Sequence, residues 1–161
     1  MLSDEVSDPA AELAGVLSPP PSAQGGYLPA VAHAGVLVTA GMTPRVDGVL
    51  HLRGQVGTDL SVDEAQEAAA VAVGNALSAA LAALDPGQQL DRVLRMTVYV
   101  NAAPGFTEHT AVADGASSRL RELLGERGAA SRTAVGVTSL PGGACVELDL
   151  TCSWHELEGG A

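Results

Sequence analysis

The chain contains no lysine. Its eight basic side chains are all arginine, set against 19 Asp and Glu, and the formal net charge is −11. Nucleic acid is a polyanion, and a protein that grips it carries a basic face. A chain this acidic is therefore not expected to bind RNA or DNA. Aromatic residues are almost as scarce: Tyr27, Tyr99, Phe106 and Trp154 make up 2% of the 161 residues. Any core must be built from Val, Leu and Ala. Each of these buries little area, at about 25 cal/mol per Å², so such a domain gains from further burial between subunits. Only two cysteines occur, Cys145 and Cys152. On one strand their odd spacing places them on opposite faces. Neither makes a metal-binding spacing with His33, His51, His109 or His155. Both read as small buried hydrophobes, and neither metal nor cofactor is expected. No apolar run reaches the roughly 18 residues of a membrane helix. The acidic first five residues lack a signal-peptide charge pattern, so a reduced, cytoplasmic setting is the expectation.

What is present fits one domain, with 47% hydrophobic residues to form a core. Residues 1–24 read as an acidic, proline-rich arm with a short helical stretch over 9–17. The arm's extended run Ser18-Pro19-Pro20-Pro21 is expected to lie on the domain surface or over a neighbouring subunit. Residues 25–155 form the domain and 156–161 a tail. A first strand is expected over 30–41 and a second over about 49–55, joined through Asp47-Gly48, a hairpin signal. Ser61 and Glu64 form a capping box that opens an alanine-rich helix over 63–84, which Asp85-Pro86-Gly87 stops. A strand over 92–100 and a helix over about 105–124, ending at Gly125, come next. Strands over 132–138 and 144–152 follow, joined as a hairpin by Leu140-Pro141-Gly142-Gly143. The order ββαβαββ predicts an α+β fold, a single sheet with two helices on one face.

Alternation along 144–152 assigns Val146, Leu148, Leu150 and Cys152 to the core face, and Cys145, Glu147, Asp149 and Thr151 to the other. Along 132–138, Arg132 shares a face with Ala134, Gly136 and Thr138. A lone guanidinium among tiny residues leaves room for a ligand, and it grips a carboxylate with two parallel hydrogen bonds. A nearby glutamate can orient or activate water. An ordinary ion pair at a strand edge or subunit contact is the competing reading, and hairpin arithmetic, which sets Arg132 near Thr151, leaves the choice open. His109 reads as a surface histidine, and Asn101 as a group satisfying backbone at a strand end.

The run from Ser131 to Val137 (Ser-Arg-Thr-Ala-Val-Gly-Val), then Leu140-Pro141 and Val146-Glu147-Leu148-Asp149, resembles the closing signature of the RidA/YjgF family. Gly26-Tyr27-Leu28-Pro29 and the stretch from Val36 to Pro44 resemble its opening. The resemblance implies a chorismate-mutase-like fold and a homotrimer whose sheets form a barrel-like core, with ligand clefts between subunits. It implies hydrolysis of a small 2-imino or 2-amino-enoic acid to a 2-oxo acid and ammonia. Arg132 then grips the substrate carboxylate and Glu147 places the attacking water. Tyr27, Gly41 and Ala134 line the pocket. A pathway-specific enzyme on the same scaffold, or a trimer that binds a small carboxylate without catalysis, are the alternatives.

Overall fold

A computed structural model of the chain describes residues 13 and 15–157. Its centre is a five-stranded sheet built from β1 (Ala30–His33), β2 (Val36–Thr39), β5 (Gln88–Asn101), β6 (Ser131–Val137) and β7 (Val146–Glu156). The spatial order is β1-β2-β7-β5-β6. Only the β5–β6 pair is parallel; the other three are antiparallel. A small hairpin of β3 (Arg45–Val46) and β4 (Val49–Leu50) stands apart. Helices α1 (Val62–Ala82) and α2 (His109–Leu124) pack together over one face of the sheet. The α+β fold with two helices on one sheet face is as expected.

Local chemistry explains the elements. Ser61 and Glu64 close the capping box, with Ser61 Oγ accepting from Glu64 N and Glu64 Oε2 accepting from Ser61 N. This satisfies donors that a helix start leaves orphaned. Asp47 and Gly48 both take left-handed backbone angles, φ 50° and 76°, as a two-residue hairpin turn requires. On β7, Val146, Leu148, Leu150 and Cys152 are buried while Glu147, Asp149 and Thr151 face away from the helices. Cys145, which alternation assigns to the open face, lies just before the strand and is buried in the core instead; both thiols are free. Burial pushes the Cys152 thiol up to about 12, so both cysteines are inert core side chains.

Three further expectations need correction. The stretch 30–41 is not one strand but the β1–β2 hairpin, turned at Ala34 and Gly35 with φ 49° and 78°. The second strand ends at Leu50 rather than near 55. The last two strands are not a hairpin, because β5 lies between them. An α-helix precedes β6, so β6 returns parallel to β5, as a strand–helix–strand crossover does. The 140–143 link is anchored elsewhere: Arg53 Nη1 donates to Gly142 O at 2.9 Å, and Gly54 N donates to Gly143 O at 2.9 Å. Of the arm, the described part packs on its own chain. Leu17 lies over Gly74 of α1, and Ser78 Oγ donates to Ser18 O at 2.8 Å. The rest of the 9–17 stretch, and the tail beyond residue 157, lie outside the described residues.

The helix pair carries one sharp steric constraint. A Cβ added at Gly115 of α2 would collide with the backbone carbonyl of Gln66 in α1, while Gln66 Nε2 donates to Ala111 O at 2.7 Å across the same contact. Alanine normally beats glycine in a helix by up to about 1 kcal/mol, but overpacking against rigid backbone costs about 1–3 kcal/mol or more. The clash wins. Gly115→Ala is expected to lower the thermal midpoint; an unchanged or higher midpoint would contradict this packing.

Candidate functional site

Neighbours across the sheet share a face, so the register decides which candidate side chains meet. Arg132 lies beside Met96, which in turn lies beside Leu150. That is the helix-facing side. Glu147 lies beside Tyr99, which lies beside Val135. That is the open side. Arg132 and Glu147 of one chain therefore sit on opposite faces of the sheet, and Arg132 is not placed near Thr151.

Glu147 and Gly41 do meet. After β2 the chain runs through Ala40 and Gly41 to Met42, which exchanges backbone hydrogen bonds with Leu148 at 2.7 and 3.0 Å. Residues 39–41 span what residues 149–150 span on β7, since Val38 pairs with Thr151 and Met42 with Leu148. The Thr39 hydroxyl fills the irregularity by accepting from Leu150 N at 3.0 Å. Such bulges re-aim side chains near sites. Here the result is that the Glu147 carboxylate lies directly on Gly41, where any Cβ would collide with it. Tyr27 is half-exposed on the segment that enters β1, and Pro29 O accepts from Ala40 N at 2.8 Å. The Tyr27 segment thus runs alongside Gly41. His33 lies at the other end of the β1–β2 hairpin, away from both.

The open face around Glu147 is polar at its centre. Asp149, Thr97 and Thr133 lie side by side, and Arg95 Nη2 donates to Thr133 Oγ1 at 2.7 Å. Burial, and then the nearby Asp149 charge, raise the pKa of Glu147. Burial also raises that of Asp149, against hydrogen bonds from Tyr99 and Thr97 and the Arg95 charge. Burial and the Asp149 charge raise Tyr99. A half-buried carboxylate with a raised proton affinity is a stronger base than an exposed one. Val31, Val36, Val38 and Val135 extend this face as exposed aliphatic surface.

Arg132 belongs to a second cluster, where edge strand β6 meets α2. Its Nη1 donates to Asp114 Oδ1 at 2.8 Å and to Ser117 Oγ at 2.9 Å, and its Nη2 donates to Thr110 O at 3.4 Å. Ala134 and Gly136 continue the same strand face, as expected. His109 is not a free surface histidine. Its ring meets Phe106 edge-on, with centroids 5.3 Å apart, and lies on Gly136, whose missing Cβ makes room for it. Asp114, Ser117 and His109 went unnoticed in the sequence as partners of this strand. A signal was there: Thr110, Asp114 and Ser117 recur at steps of four and three, one polar stripe on a helix. Asn101 does hold backbone, donating to Ala144 O at 3.1 Å. Among the described residues no three His, Cys, Asp or Glu side chains gather as metal ligands. No helix among those residues is long and apolar enough to cross a membrane.

Comparison with known proteins fits this geometry. Residues 10–150 match the family model described as "YjgF/chorismate mutase-like, putative endoribonuclease". The chain belongs to the YjgF family, also called RidA. Among family relatives, the chain is 40% identical over 114 residues to Protein TCP17 of Trypanosoma cruzi, covering 70% of this chain and 71% of that one. The structure of Atu1372 from Agrobacterium tumefaciens, a protein of unknown function, is 32% identical. It covers 90% of this chain and 91% of that one, with a TM-score of 0.76. A Shewanella oneidensis structure described as "a putative endoribonuclease" is 27% identical, covers 90% of this chain and 98% of that one, and has a TM-score of 0.79.

For this YjgF-family chain the Gly41–Glu147 contact makes a direct prediction. Gly41→Ala pushes the carboxylate aside. The side chain can swing toward the open face, so the fold survives. Misplacing a catalytic group by about 1 Å can cost about 100-fold in rate. If Glu147 carries the chemistry, Gly41→Ala is therefore expected to keep its thermal midpoint and lose most activity. An active variant would mean that the position of Glu147 does not matter.

Proposed function

We propose that this chain is a hydrolytic deaminase converting a small 2-imino or 2-amino-enoic acid to the 2-oxo acid and ammonia, at sites completed between the copies of a homotrimer. The observation that carries the reading is the Glu147 carboxylate, half-buried, raised in proton affinity and seated on Gly41. Arg132 complements it as the group for the substrate carboxylate. Because the two occupy opposite sheet faces, a copy of the chain must bring its Arg132 edge to the neighbour's open face. The exposed valines of that face, Val31, Val36, Val38 and Val135, supply apolar surface for such packing.

The steps balance without a cofactor. An enamine first takes a proton at carbon to become the imine. Arg132 holds the carboxylate, which fixes the imine carbon over Glu147. Glu147 accepts a proton from water as the water oxygen bonds to that carbon, and the C=N pair moves to nitrogen. That proton passes to nitrogen to give the neutral carbinolamine; Glu147 then takes the hydroxyl proton and passes it to the amine, the C–N bond breaks, and ammonia leaves as the C=O bond forms. Much of the gain is positioning, since reactants held in attack geometry are spared the entropy of meeting.

The family description also names RNA cleavage. The net charge of −11 and the absence of lysine weigh against it, because phosphate binding needs basic surface. The test is release of ammonia and 2-oxo acid from freshly generated 2-aminoacrylate, with oligomer mass measured by light scattering. Accelerated release by a trimer supports the reading. A monomer, or release no faster than in buffer, overturns it.

A further inference from the structure

We propose that Asp114 is a positioning residue. Together with Ser117 and the Thr110 carbonyl, it holds the Arg132 guanidinium so that its unused donors face a substrate carboxylate. The inference rests on the deaminase reading for its substrate but on geometry for its mechanism.

A guanidinium has five N–H donors. Nη1 uses both of its donors, on Asp114 Oδ1 at 2.8 Å and Ser117 Oγ at 2.9 Å. Nη2 uses one, on Thr110 O at 3.4 Å. That leaves Nε–H and one Nη2–H, and two donors are what a carboxylate takes from a guanidinium fork. The Arg132 side chain keeps 20% of its surface exposed, so the free donors are reachable. All three anchors come from one stripe of α2, an element capped over Gly125 and packed on α1. They are a rigid frame, not a loop.

Two effects oppose each other at Asp114. Its negative charge repels an incoming carboxylate. Its hydrogen bond removes the rotamer freedom that Arg132 would otherwise lose on binding, and arginine is among the side chains with most to lose. The Asp114 side chain is 57% exposed, so water screens its charge, whereas the ordering of Arg132 is not screened. Ordering wins. As an exposed ion pair the contact adds little to stability, so its removal should register in binding rather than in folding.

The experiment compares wild type, Asp114→Ala, Asp114→Asn and Arg132→Ala. It follows ammonia release from 2-aminoacrylate, calorimetric binding of pyruvate as a stable 2-oxo acid, and thermal midpoints. Asp114→Ala is expected to keep its midpoint and raise KM about tenfold with kcat within about twofold, the pattern of lost ground-state binding. Asp114→Asn keeps an oxygen acceptor for Nη1 and is expected to restore most of the binding. An unchanged or lower KM in Asp114→Ala, with Arg132→Ala inactive, would overturn the positioning role and leave the deaminase reading standing. If wild type releases no ammonia yet binds pyruvate, and Asp114→Ala weakens that binding, the deaminase reading fails and the positioning role holds. If wild type neither deaminates nor binds pyruvate, both fall.

Discussion

Arg132→Ala is expected to abolish ammonia release while leaving the fold intact. In the proposed deaminase the guanidinium supplies the charge-assisted grip on the substrate carboxylate, and among the described residues no other arginine donates to Asp114, Ser117 or the Thr110 carbonyl. Arg95, on the neighbouring strand, lies on the open face and is engaged with Thr133. Without Arg132 the imine is neither held nor oriented, and kcat/KM should fall at least about 100-fold. Stability should fall only modestly: the half-exposed Asp114 contact is worth under about 1 kcal/mol, and the lost Ser117 and Thr110 hydrogen bonds add about 1 kcal/mol each at most. Steady-state rates beside a melting curve check both halves of this statement. A fully active variant would remove Arg132 from the site.

Glu147→Gln is expected to reduce kcat about 100- to 10,000-fold, the usual worth of a positioned general base, with a much smaller effect on KM. The pH profile identifies the group. In the proposed mechanism Glu147 acts ionised, and its ionised fraction falls as pH drops through its pKa. Burial and the Asp149 charge raise that pKa, so wild-type activity should begin to fail on the acid side at a higher pH than an exposed glutamate would give. Asp149→Asn removes only the smaller of the two causes, so it should move the acid limb partway down. In Glu147→Gln the limb should vanish from the residual rate. A wild-type limb at the position of an ordinary exposed carboxylate would contradict the burial argument.

The sequence disclosed elements more readily than neighbours. Helix α1 was legible because Ser61 and Glu64 announce its start and Asp85-Pro86-Gly87 its stop. The two faces of β7 were legible because strict alternation permits one assignment. The β1–β2 turn was hidden because Ala34, rather than Asn, Asp or Gly, takes the left-handed position. The separation of β6 from β7 was hidden because alternation states which face a side chain takes, never which strand lies beside it. That gap fell on the site itself. Arg132 and Glu147 looked like groups on one hairpin, and β5 between the strands sets them on opposite faces. Gly41 gave no local sign of why it must be glycine, since the reason is the carboxylate of a residue more than a hundred positions later. What Arg132 rests on was readable in principle from the polar stripe of Thr110, Asp114 and Ser117.

Co-expression of Arg132→Ala with Glu147→Gln tests the central claim most directly. Each variant alone lacks one half of every site. If sites form between copies, every mixed trimer has one of its three sites with an intact Arg132 from one chain and an intact Glu147 from the next, so purified mixed trimers should regain about a third of wild-type ammonia release. If mixed oligomers of confirmed composition stay as inactive as the single variants, the two residues do not work across copies of the chain, and the proposed site is wrong.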